Sequence, residues 1–236
     1  VAELRFDVYE YNRLKSYYDE FVTFGGLPDV VLEQRPNVKR EILQDVLTSY
    51  INLDVQTLAD FRKIGQLQQL MQLLVLRVGN KIDLSKLAVL VGISRPTLAE
   101  YLDFLEKTYV IHRLPAFAGP DKTTALGKKL YFRDNGIASV LAQPGEGALF
   151  ENAVFNQLWH YGRLAYLSSR NEYEIDYVLT PEENLPIGLE AKYHPTLMDA
   201  KRLNQMSKKT SLSKARLIGK HPSPGFEDFI WGGSIL

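Results

Sequence analysis

The stretch from residue 172 to 192 constrains the fold more than any other. Ile175, Tyr177 and Leu179 recur at every second position, with Glu172, Glu174 and Asp176 alternating against them. Ile187, Leu189 and Ala191 do the same around Glu190 and Lys192. Alternation of this kind marks half-buried strands. Pro181-Glu182-Glu183-Asn184 between them is turn material. A hairpin symmetric about Glu183 sets Asp176 opposite Glu190 and Glu174 opposite Lys192. Successive strand side chains point to opposite faces. The acidic residues and Lys192 therefore share one face, and the six apolar residues share the other.

Two readings of the polar face stand side by side. A solvated outer face is common in antiparallel pairs. The alternative is a metal site. Asp176 and Glu190 on neighbouring strands offer hard oxygen ligands suited to Mg²⁺ or Mn²⁺, and Lys192 reaches the same place, where an ammonium steadies a phosphate or orients an attacking water. Like charges directly opposite are destabilising, which a cation between them remedies.

The rest of the composition narrows the classes. At 236 residues, with 45% hydrophobic and 24% charged residues, the chain has room for one large domain or two to three small ones. Cysteine is absent, which excludes disulfides, thiol chemistry and cysteine-ligated zinc and is compatible with a cytoplasmic location. Four histidines show no HExxH spacing. No apolar run approaches the roughly 18 residues of a membrane span, so no membrane partner is expected. The net charge is zero but unevenly spread. Residues 1–60 are net acidic, whereas residues 61–143 carry 12 Lys/Arg against 6 Asp/Glu. A basic middle third suits a polyanion such as DNA. Opening on Val1 inside a charged, helix-like pattern, the chain reads as a fragment whose upstream part is missing.

Taken in order, the chain predicts an α+β multidomain protein. Residues 1–62 read as a helical segment, broken at Gly25-Gly26-Leu27-Pro28 and resuming through a helix from Val38 to about Leu58. No GK[ST] follows the glycines, so they form no phosphate loop, and no Walker A motif occurs in the chain. Residues 63–143 read as a winged helix. Ile64 to Val78 is a helix. Leu84 to Val91 is a second, capped by Asp83 or Ser85 and stopped by Gly92. Ser94 caps a third, with Leu98, Tyr101, Leu102 and Leu105 as its buried stripe. Tyr109 to Leu114 and Lys129 to Phe132 are strand-like around a basic loop. Arg95 and Thr97 on the expected recognition helix, with Lys122, Lys128 and Lys129 on the wing, are the expected DNA contacts. Glu100, Asp103 and Glu106 on that helix oppose them.

Residues 136–146 read as a linker opening the last domain, 144–236. Its first helix, Ala148 to Tyr161, buries Phe150, Val154, Phe155 and Leu158. Glu151 edges into that stripe, which is costly unless it is paired or ligated; a capping or solvated role is the other reading. Three strands, a helix from Leu197, a strand at Ala215–Ile218 and a last one near Phe229-Ile230-Trp231 complete a mixed sheet with helices on its faces.

Glu151 on a helix, then Asp176, then Glu190-Ala191-Lys192 resembles the PD-(D/E)xK nuclease-like fold, especially archaeal Holliday-junction resolvases. Ile175 stands where that family has a Pro. The resemblance covers about residues 147–220. It implies a restriction-endonuclease-like domain with Asp176, Glu190 and Glu151 as metal ligands, and Lys192 and Glu151 as catalytic residues.

A broader resemblance rests on Phe24-Gly25-Gly26-Leu27-Pro28, Ser94-Arg95-Pro96-Thr97-Leu98, Leu130 to Gly136, Phe150-Glu151-Asn152, Glu174 to Tyr177 and Leu189 to Lys192. In this order they are similar to prokaryotic AAA-type ATPases with a C-terminal domain of unknown function. This implies that the chain is the C-terminal part, with ATP bound only in a missing upstream P-loop domain. Three functions follow as expectations: a regulatory, DNA-binding module of such an ATPase; a Mg²⁺-dependent DNA endonuclease; and a scaffold for a protein partner.

Overall fold

The computed structural model describes residues 1, 3–55, 64–118, 126–169, 173–182, 185–210, 212–223 and 229–235. The fold is α+β, and its residues form two compact units. One unit comprises Val1–Asp19, Leu114–Lys129 and Glu146–Leu236; the other comprises Glu20–Arg113 and Leu130–Gly145. The grouping departs from the three consecutive segments expected from the sequence. Aromatic residues near the N-terminus provide the physical reason, because they complete the core of the C-terminal sheet.

The described strands form two sheets. Strands β1 (Ile111–Leu114) and β2 (Lys129–Phe132) pair as a two-stranded sheet. The C-terminal sheet consists of β3 (Arg163–Ser169), β4 (Tyr173–Thr180), β5 (Ile187–Lys192), β6 (Lys214–Gly219) and β7 (Ile230–Trp231). Their spatial order is β3-β4-β5-β6-β7. The first three run antiparallel to their neighbours, and β5, β6 and β7 run parallel. The parallel step from β5 to β6 needs a crossover, supplied by the Leu197–Ser207 helix. Thr196 and Asp199 begin that helix with a reciprocal capping box. The Glu146–Leu158 helix packs against β5. Its Phe150, Val154, Phe155 and Leu158 are all fully buried. Burial of each such side chain contributes on the order of 1.5–3 kcal/mol, which fixes the rotation of the helix and with it the direction of Glu151. Phe229 stacks on Phe6, and Trp231 packs edge-on against Tyr11 and Tyr18.

The second unit is mainly helical. Val8–Phe24 runs into it, followed by Pro28–Leu32 and Pro36–Ser49, the last continued by a π-helical stretch, Tyr50–Val55. The end of the predicted helix near Leu58 lies outside the described residues. Ile64–Val75, Leu84–Val91 and Arg95–Lys107 follow. Asp83 caps the second of these through the Lys86 amide, and Gly92 ends it in the left-handed conformation. Ser94 caps the third through the Thr97 amide. Val78 makes an isolated parallel bridge to Leu130.

The linker expected at 136–146 is instead largely a helix, Asn135–Leu141. Asp134 is the cause. One of its oxygens caps the helix by accepting the Ile137 amide, and the other accepts the Gly26 amide. A side chain at Gly25, which has φ +77°, would strike the Asp134 carboxylate, and one at Gly136 would strike the Phe24 carbonyl oxygen. The two glycine motifs therefore close on one another as a structural clamp. Gly136 is a contact point and not a linker residue.

Candidate functional site

β4 and β5 pair as Tyr177↔Leu189, Val178↔Gly188 and Leu179↔Ile187, which is the register symmetric about residue 183. One residue beyond these pairs, side chains bridge the two strands. The Asp176 amide donates to Glu190 Oε2 at 3.2 Å, and the Ala191 amide donates to Asp176 Oδ2 at 3.1 Å. Each carboxylate thus satisfies a backbone donor on the opposite strand. One oxygen of each is fixed by this exchange, and the other is available to side chains.

The face is not a solvated one. The side chains of Asp176, Glu190 and Glu151 are only 14%, 12% and 19% exposed. Tyr177 is fully buried and donates its hydroxyl to the Glu151 backbone carbonyl at 2.7 Å, tying the helix to β4. Lys192 Nζ lies 2.8 Å from Glu190 Oε1. Glu151, Asp176, Glu190 and Lys192 thus occupy one region, on a helix and two adjoining strands.

A fifth member joins them that the sequence places elsewhere. Lys129, expected on an exposed wing, is 2% exposed and cannot offer its ammonium to a nucleic acid at the surface. Its Nζ lies 2.7 Å from Glu174 Oε1, 3.2 Å from Asp176 Oδ1 and 3.9 Å from Glu151 Oε1. The path of the chain explains this. Phe117 donates its amide to the Tyr166 carbonyl and the Tyr166 amide donates to the Pro115 carbonyl, which lays residues 115–117 along β3. The Tyr166 hydroxyl lies 2.9 and 3.0 Å from the Leu126 and Gly127 carbonyl oxygens. The chain is thereby held where Lys129 turns inward. The only sequence signal for this is its position at the head of the apolar run Leu130-Tyr131-Phe132.

Charges in this region are strongly coupled. Burial alone would lower the Lys129 pKa, but Asp176, Glu151 and Glu174 outweigh it and hold the ammonium above its ordinary range. Glu190 is pushed up to about 7, first by burial and then by the Asp176 charge, against the opposing pull of Lys192. Burial acts to lower the Lys192 pKa, and Glu190 more than reverses it. Lys129 thus answers Glu151, Glu174 and Asp176, and Lys192 answers Glu190.

Among the described residues no group of three or more His, Cys, Asp or Glu side chains is arranged to hold a metal ion. The geometry gives a reason: the carboxylates turn toward Lys129 and Lys192 instead of converging on one point. The donor chemistry nevertheless fits a hard divalent cation, since every ligand candidate is a carboxylate oxygen.

The helix pair around Gly92 presents a different surface. Arg95 is exposed at the start of its helix, and Thr97 is half-buried with its hydroxyl 2.8 Å from that of Ser94. Lys128 is exposed, and Lys122 lies outside the described residues. The acidic side chains expected to oppose DNA are partly neutralised. Arg113 donates from Nε to Glu106 at 2.7 Å and from Nη2 to Asp103 at 2.5 Å. Among the described residues no helix is long and apolar enough to cross a membrane.

The chain is thus an α+β protein with a buried acidic cluster beside a five-stranded mixed sheet. It belongs to the family described as a domain of unknown function, DUF8612, whose model matches residues 15–146. That stretch contains Arg95, Thr97 and Lys129 and stops short of Glu151. The chain is similar to the uncharacterized protein MJ1544 of Methanocaldococcus jannaschii, with 29% identity over 188 residues, covering 75% of this chain and 42% of that protein. It is also similar to an uncharacterized protein of Haemophilus influenzae, with 27% identity over 173 residues, covering 68% of this chain and 42% of that protein. The chain therefore spans well under half the length of these two curated relatives. No solved structure matches.

Proposed function

We propose that this chain is the DNA-binding, regulatory module of a longer protein, and that it carries a nuclease-type phosphodiester site. The reading includes a winged helix over residues 63–143 and a PD-(D/E)xK-like arrangement around β4 and β5. One observation carries it: the crossed hydrogen bonds between Asp176 and Glu190, with Lys192 paired to Glu190.

Asp176 and Glu190 would hold a divalent ion, Mg²⁺ or Mn²⁺. Glu151 would complete its shell or orient the attacking water. Such an ion, when bound, neutralises charge on the phosphate and lowers the pKa of a bound water. The residues of the chain do the rest. Lys192, paired to Glu190 and 38% exposed, would meet a phosphate oxygen. Tyr177 fixes the backbone of Glu151, and the Ala191 and Asp176 amides keep both carboxylates in place. DNA would be gripped through Arg95 and Lys128, and ATP would be handled by a P-loop domain upstream of this chain. A binding role without cutting also has an observation in its favour, since Lys129 already answers three of the carboxylates.

The test is cleavage and gel retardation of duplex, branched and single-stranded DNA in Mn²⁺ or Mg²⁺, with Asp176→Ala beside the parent chain. The parent chain is expected to cut at least one form, and Asp176→Ala to bind that form while losing metal-dependent cutting by about 100-fold or more, roughly the effect of losing a main electrostatic contributor. Cutting by neither protein, with retardation intact in both, removes the catalytic half and leaves a binding module. Retardation absent from both removes the DNA reading altogether.

A further inference from the structure

Two irregular pieces of backbone meet at a pocket in the mainly helical unit. The first closes the Arg95–Lys107 helix. The Val110 amide donates to the Leu105 carbonyl and the Tyr109 amide to the Glu106 carbonyl, the paired bonds of a left-handed helix end. Glycine is the usual residue there, because a side chain crowds the backbone in that conformation. This chain has tyrosine instead. Tyr109, at φ +59°, is the only residue other than glycine with a positive φ among the described residues. Burial does not offset the strain, since Tyr109 is 77% exposed. The second piece is the π-helical stretch Tyr50–Val55, a distortion met disproportionately at functional sites. The Tyr50 and Thr108 hydroxyls lie 2.8 Å apart and join the two pieces.

Tyr109 and Arg133 line a cavity of about 220 Å³ together with Tyr50, Leu47, Met71 and Ile137. The Arg133 amide donates to the Val110 carbonyl, which holds residue 133 beside the helix end. Burial pulls the Arg133 pKa below its ordinary value, and Tyr109 close by pulls the other way. Asp134 also borders the cavity, but its two oxygens accept the Ile137 and Gly26 amides. The wall is thus mostly apolar, with one guanidinium. The cavity is smaller than the roughly 300–1,000 Å³ of drug-sized ligand sites, so its occupant is small. We propose that this cavity binds a small apolar carboxylate. The planar fork of Arg133 matches two carboxylate oxygens, and the apolar body rests on Leu47, Met71 and Ile137. The Tyr109 hydroxyl donates to the same carboxylate from the mouth, so a tyrosine at a glycine position gives up stability for a ligand contact. The site shares no residue with the Asp176 region and does not depend on DNA being bound or cut. All of it lies within residues 15–146, the stretch that the family model matches.

The experiment is titration of the full chain with benzoate and hexanoate, and with benzamide and hexanamide as their uncharged matches, followed by calorimetry and by amide NMR shifts. At least one acid is expected to bind and to shift the Val110 and Arg133 amides. Its uncharged match is expected to bind at least about tenfold more weakly, the scale of a lost hydrogen bond between charged groups. Tyr109→Gly is expected to melt about 2–4 °C higher, because the strain is relieved. It is also expected to bind the acid about fivefold more weakly, because one hydrogen bond is lost. Tyr109→Phe keeps the strain and loses the hydroxyl, so it is expected to melt with the parent and to bind like Tyr109→Gly. No binding of either acid, or equal binding of an acid and its match, overturns the proposal. So does a Tyr109→Gly chain that binds as tightly as the parent. A Tyr109→Gly chain that melts no higher than the parent overturns the part of the argument that rests on strain.

Discussion

Glu190 is the residue whose environment has the clearest consequence in solution. Its folded-state pKa is raised to about 7, by burial and by Asp176, so the folded chain holds a proton that the unfolded chain has already released. Between the unfolded carboxylate value and about 7 the native state binds more protons, and stability must fall as pH rises through that window. A tenfold difference in proton affinity between the folded and unfolded chain is worth about 1.4 kcal/mol, so the total is on the order of a few kcal/mol. In metal-free buffer the melting temperature is expected to drop as the pH rises from about 4.5 to about 7, and Glu190→Gln is expected to flatten the drop. A parent and a Glu190→Gln chain with parallel pH profiles would refute the assignment. Asp176, Glu190 and Lys192 are legible in the sequence because period two sorts side chains without reference to anything distant. Lys129 is not. A lysine in a basic loop reads as exposed, and only the anchoring of residues 115–117 and 126–127 on Tyr166 turns it inward.

Elements with local signals are readable to within a residue or two. Asp83 and Ser94 announce their helices as caps, and Ile187–Lys192 keeps its expected ends. The Asn135–Leu141 helix escapes because its signals are not local. Its capping carboxylate also reaches the Gly26 amide, and its glycine is there for a contact with Phe24, far away in the sequence. A Cβ at position 136 would lie 2.1 Å from the Phe24 carbonyl oxygen and 2.7 Å from Leu43 Cδ2. The first is backbone and cannot swing aside. Gly136→Ala should therefore destabilise the chain by about 1–3 kcal/mol, the usual scale of overpacking, despite alanine's better helix propensity. Chemical denaturation measures this directly, and an unchanged or raised midpoint would show that the clamp yields. Asp134 is itself informative here: burial raises its pKa against three backbone amides that lower it, so the clamp is a buried acid held by hydrogen bonds.

At the scale of the molecule, the unit that holds the acidic cluster is assembled from three separated stretches of chain. Residues 144–236 alone would lack Phe6, Tyr11 and Tyr18, the partners of Phe229 and Trp231, and would lack Lys129 among the carboxylates. Arg216 would lose its bond to the Leu4 carbonyl and Lys220 its pairing with Asp19. A 144–236 fragment is accordingly expected to give a poorly dispersed amide NMR spectrum, where the full chain gives a dispersed one; a well-dispersed fragment would refute this. The α+β class is visible in the order of helices and strands. The grouping of residues into units is not, because aromatic contacts between the two ends of a chain leave no periodicity behind. These contacts also bear on biosynthesis. A ribosome releases Tyr11 and Tyr18 long before it makes Trp231, so the sheet cannot close around its core until the stretch that holds Trp231 has left the exit tunnel. A chain cut short by a premature stop would carry Glu151, Asp176, Glu190 and Lys192 and still lack the packing that holds them together. These contacts thus tie completion of the acidic pocket to the synthesis of Phe229 and Trp231.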